Sequence, residues 1–152
     1  MKLPLLVFAA GAVLAQAPPN VVKVEPAATV TIKTGATADI AMTLNVDAGY
    51  HVNSNAPNDP YLIPLSLTWD NSLLQAEAPS FPTPKLETIG FSSKPLSVFT
   101  VQFQIVTRVK APRAAKVGTA TLAGKLHYQA CNDRTCLPPR ATEVRVPIEV
   151  IK

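Results

Sequence analysis

Residues 118–150 read GTATLAGKLHYQACNDRTCLPPRATEVRVPIEV. The first third alternates: Ala120, Leu122, Gly124, Leu126 and Tyr128 fall on one side, with Thr121, Lys125 and His127 between them. The last third does the same with Val144, Val146, Ile148 and Val150 against Arg145 and Glu149. A period of two is the mark of a strand with one buried face. Asn132 and Asp133, between the two runs, are natural turn formers, so CNDRTC reads as the tip of a hairpin.

The pattern continues outward. Val30 and Ile32 point one way, as do Ile40, Met42, Leu44 and Val46, then Leu65, Leu67 and Trp69, then Phe99, Val101, Phe103 and Ile105. Helical periodicity is almost absent, and seven or eight antiparallel strands are expected. The 15 prolines fall at nearly every junction, where no long helix would survive them. The segment Leu74–Lys94 carries Pro79, Pro82, Pro84 and Gly90 without clean alternation, and reads as a long loop of the kind that carries function. The expected fold is all-β: a single-domain, immunoglobulin-like antiparallel β-sandwich. It lacks that fold's inter-sheet disulfide, since two cysteines five positions apart cannot join two sheets.

The opening MKLPLLVFAAGAVLAQA has one positive charge at Lys2, an apolar run from Leu3 to Leu14, then Ala15-Gln16-Ala17. It reads as a cleaved export signal over residues 1–17, with the domain spanning 18–152. The apolar run is far shorter than the roughly 20 residues a spanning helix needs. A soluble exported, non-membrane-spanning monomer is expected. The formal charge of +4 is carried by scattered side chains, which argues against nucleic acid as a partner.

An exported chain gives its only cysteines, Cys131 and Cys136, three possible uses. As a staple the bond is weak, because closing a six-residue ring is worth about 2 kcal/mol and a hairpin is closed already. As a metal site it lacks partners: the only histidines are His51 and His127, in no strong ligand spacing, so neither metal nor cofactor is read. As a redox couple an exposed short-range bridge exchanges readily with other thiols, while Arg134 favours a thiolate and Asp133 opposes it. The residues alone leave staple and exchange both open.

YQACNDRTCLPP, residues 128–139, resembles the cysteine signature of the N-terminal periplasmic domain of the DsbD family of thiol-disulfide interchange proteins. DAGYHVNSNAPNDPYLIPLSLTW, residues 47–69, is similar to the family's second marked segment. The resemblance implies a thiol-disulfide oxidoreductase of the periplasm. It would take electrons from a separate membrane electron-relay protein and pass them to periplasmic thioredoxin-fold proteins. It implies that Cys136 bonds the partner and Cys131 resolves the mixed disulfide. It also implies an aromatic-bearing cap loop over the sulfurs, for which Phe91 is the first candidate and Ile89 the second, with Tyr50, His51 and Tyr128 as neighbours of the pair. The spacing of the cysteines is one residue shorter than in the best-known member. An immunoglobulin-like binding or adaptor module with an inert hairpin bridge is the alternative.

Overall fold

The computed structural model describes residues 19–152, so the expected export signal lies outside the described residues. Twelve strands and no helix occur among them. In chain order they are β1 (Val22–Val24), β2 (Val30–Lys33), β3 (Thr37–Val46), β4 (His51–Asn53), β5 (Ser66–Trp69), β6 (Gln75–Ala76), β7 (Lys85–Glu87), β8 (Leu96–Phe99), β9 (Gln102–Lys110), β10 (Gly118–Tyr128), β11 (Ala130–Cys131) and β12 (Arg140–Ile151).

Two four-stranded sheets make the sandwich, one in the order β1-β3-β9-β6 and the other β2-β12-β10-β5. Their facing sides interleave. Leu44 and Ile105 of the first sheet share a cluster with Leu67, Leu126 and Val144 of the second, and Ile40 and Val109 share another with Leu122, Val146 and Ile148. Burying each such side chain contributes about 1.5–3 kcal/mol, which is what the alternation in the sequence supplies. Trp69 adds a polar tie across the layers, donating from Nε1 to the otherwise buried Thr107 hydroxyl at 3.0 Å.

The pairings are antiparallel except that β2 runs parallel to β12. The chain switches from one sheet to the other between β1 and β2, past Pro26. Pro147 lies inside β12, one residue before the pairing with β2 begins at Ile148, where the strand is still an edge on that side. Gly124 is required where it stands: a Cβ there would lie 2.5 Å from the Thr68 carbonyl oxygen and 2.7 Å from the Trp69 ring.

A third, smaller sheet, β11-β4-β8-β7, covers one end of the sandwich. It alters two sequence expectations. The run Phe99–Ile105 is not one strand: β8 ends at Phe99 in the small sheet, and β9 begins at Gln102 in a large one. Val101, at the crossing, is 71% exposed and has φ of 61°, while its carbonyl accepts the Val46 N–H at 2.7 Å. The left-handed residue turns the Val101 side chain out to solvent, while Phe99 and Phe103 on either side of it stay buried and stack with ring centres 4.6 Å apart. The segment Leu74–Lys94 is likewise held to the sheets, by β6 on β9, by the pair Ser80–Val106, and by β7 on β8.

Candidate functional site

The hairpin that carries the cysteines is built from its backbone outward. β10 ends at Tyr128, and after Gln129 the chain enters the small sheet as β11, where Ala130 faces Val52 and Cys131 faces His51 on β4. The turn is closed by the Asn132 N–H donating to the Thr135 carbonyl at 2.9 Å. The Asn132 side-chain oxygen accepts the N–H groups of Arg134 and Thr135, each at 2.9 Å. This is the local bonding that makes asparagine a turn former. It returns Cys136 opposite Cys131, and the two are joined as a disulfide with Cα atoms 3.9 Å apart.

The two sulfur-bearing residues have different surroundings. Cys131 is 0% exposed, while Cys136 is half-buried on the arm that leads back to solvent. Gln129 holds the base of the hairpin: its Nε2 donates to the Leu137 carbonyl, and its Oε1 accepts from the Asn53 amide nitrogen and from the Ile63 N–H. Gln129 stands in the quoted cysteine segment, yet composition and spacing gave no sign of its anchoring role.

His51 is 4% exposed, and its Nε2 has no hydrogen-bond partner among the described residues. Burial holds the imidazole below its ordinary value of 6.5, and the carboxylates of Glu87 and Asp133 pull the other way. His51 lines an open hollow of about 460 Å³ whose wall includes Tyr50, Lys85, Glu87, Val101 and Asp133. Tyr50 is half-buried there and packs on the core. Tyr128 belongs to that core outright, with its hydroxyl 3.4 Å from the Asn20 side-chain oxygen.

The loop between β7 and β8 holds both cap candidates. Ile89 is buried with Leu96 and Val98, fixing the loop to its own sheet. Phe91 is 44% exposed and lines a second hollow with Asp59, Tyr61, Leu62 and Leu96, in which neither cysteine takes part. Between them lies Gly90, where a Cβ would stand 2.9 Å from the Asp133 carbonyl oxygen. The loop thus rests on the cysteine turn through a backbone approach that sequence reasoning did not single out.

Residues 19–148 match the family described as thiol:disulfide interchange protein DsbD, N-terminal. The chain belongs to that family. A similar fold appears among solved structures. The N-terminal periplasmic domain of ScsB from Proteus mirabilis aligns over 86% of this chain with a TM-score of 0.57 and 13% identity. The chain spans 47% of that protein's length, about half of it. The fimbrial subunit AggA from Escherichia coli aligns over 86% of this chain and 93% of its own with a TM-score of 0.46 and 13% identity. No curated protein sequence matches the chain. In this member of a family described by thiol:disulfide interchange, the cysteine pair is joined. No helix among the described residues is long and apolar enough to cross a membrane.

Proposed function

We propose that this domain carries reducing equivalents in the periplasm through Cys131 and Cys136, as a module occupying residues 18–152 behind an export signal. It receives two electrons from a membrane electron-relay protein and delivers them to thioredoxin-fold partners. Cys136 forms the mixed disulfide and Cys131 resolves it. The observation that carries this reading is the asymmetry of the pair within a DsbD-family hairpin: Cys131 is fully buried and Cys136 is partly exposed. Thiolate exchange needs an approach along the sulfur–sulfur axis, and the partly exposed Cys136 is the better placed of the two to receive it. The cover that a partner displaces is assigned to the loop between β7 and β8, which meets the cysteine turn at Gly90 rather than through Phe91.

A Cys131→Ala variant tests the reading. Incubated with an oxidised thioredoxin-fold protein, it accumulates a covalent adduct through Cys136, whereas Cys136→Ala does not. If neither variant forms an adduct, and the wild-type bridge resists mild reductants in the folded protein, the hairpin is inert and the domain is a binding module.

A further inference from the structure

A thiol-disulfide exchange has to move a proton as well as electrons, and a buried cysteine has little water at hand to take its proton. Cys131 is fully buried, and the residue directly opposite it across the β4–β11 pair is His51. Side chains directly opposite in an antiparallel pair leave the sheet on the same face, with Cβ atoms about 4.5–5.5 Å apart. His51 is itself almost fully buried, and its Nε2 has no partner among the described residues. An unpaired imidazole nitrogen in such a place goes against the rule that buried polar groups are satisfied. The second buried side-chain atom in that condition, Oδ1 of Asn53, is on the same short strand.

We propose that His51 is the acid–base group of the exchange, taking the proton of the Cys131 thiol as the mixed disulfide on Cys136 is resolved. The inference rests on the exchange reading above. The Cys131 S–H bond breaks, its proton goes to Nε2, and the thiolate attacks the Cys136 sulfur. The Cys131–Cys136 bond forms as the bond from Cys136 to the partner's sulfur breaks. The electron pair leaves on the partner's sulfur, which takes the proton back from the imidazolium. The protein's dithiol is oxidised and the partner's disulfide is reduced, with two electrons passed and no net proton left on His51.

The hollow beside His51 is suited to this cycle. The charged and titratable groups sharing it are Asp47 and Tyr50 before β4, Lys85 and Glu87 on β7, and Asp133 at the turn. Burial keeps the resting imidazole neutral and able to accept a proton, while Glu87 and Asp133 steady the imidazolium once it forms.

The test uses the reduced full chain mixed with one equivalent of dithiobis(nitrobenzoate), which releases one thiolate on attack by Cys136 and a second on resolution by Cys131. In His51→Gln the first release keeps its wild-type rate, and the second slows by roughly 10²-fold at neutral pH, the usual scale of general-base assistance. The variant's second phase then climbs with pH toward the range of an unassisted thiol, near 8.5. Superimposable pH profiles for the second phase overturn the proposal. Absence of a second release from the wild type instead overturns the exchange reading. Should His51→Gln not fold, NMR titration of the wild-type imidazole decides: its midpoint differs between dithiol and disulfide forms if His51 shares a proton with Cys131, and identical curves refute it.

Discussion

The middle of the sandwich and its capped end are built on opposite rules. Between the two large sheets, Thr107 is the one buried polar side chain among the described residues, and the Trp69 indole satisfies it. The small sheet and the residue that follows β4 hold the other four: His51, Asn53, Ser54 and Ser97. Ser97 and Ser54 satisfy one another at 2.9 Å, but His51 and Asn53 each keep an unpaired buried atom. The left-handed valine, Val101, lies at this end too. Stability is made in the middle, and the end spends part of it on unpaired groups and strained backbone, as functional sites do.

The largest effect that would sharpen this contrast is a cavity in the middle. Leu122 is fully buried between β10 and the facing sheet. Leu122→Ala is expected to lower the free energy of unfolding by about 2–5 kcal/mol in urea titration. The rate at which the folded, reduced cysteines react with a thiol reagent stays as in the wild type. A matching loss of reactivity would show that the two regions are not separable.

How much of each region was legible follows from the same contrast. The interleaved faces of β3, β9, β10 and β12 were readable because Ile40, Leu44, Leu122, Leu126 and Val146 obey one simple period, and burial is all they do. The left-handed break at Val101 was not readable, since an exposed valine in alternation looks like any other apolar strand residue. At the site, the Cys131–Cys136 bridge and the turn at Asn132 were visible as local features. His51 was named as a neighbour of the pair only through the family resemblance, and its register opposite Cys131, the Gln129 bracket and the seat of Gly90 on Asp133 each join residues far apart in sequence. No local pattern encodes such contacts.

Removing the bridge is expected to have a smaller effect than the cavity. Replacing both cysteines with serine should lower stability by about 2 kcal/mol, the chain-entropy value for so short a ring. A loss well beyond that would make the bond a principal staple and erase the division of labour between middle and end. Smaller again is the relief available at Val101. Val101→Gly removes a side chain from a left-handed conformation that costs a branched residue about 1–2 kcal/mol, partly offset by the entropy of glycine in the unfolded chain. A rise in unfolding free energy of up to about 1 kcal/mol is expected, and a fall would show that the valine side chain is held by contacts that outweigh its backbone.

The smallest effect concerns acid, and its sign follows from His51. The folded imidazole titrates below 6.5, chiefly because it is buried, while the same group in the unfolded chain titrates near that ordinary value. Between the two midpoints the unfolded chain binds a proton that the folded chain refuses. The contribution is therefore fully present above 6.5 and is lost as pH falls from there through the folded midpoint. Asp39 behaves similarly at a lower pH: its hydrogen bond to Arg108 holds it below 3.8, so its share is lost only in stronger acid. The His51 loss begins just below 6.5 and the Asp39 loss only below 3.8. Urea titrations of the oxidised protein from pH 7 downward should show stability declining first just below 6.5. His51→Gln should flatten that first decline and leave the one near the carboxylate range unchanged. If the first decline persists in His51→Gln, the proton that acid adds goes elsewhere, and burial of the histidine is not what sets this end of the molecule apart.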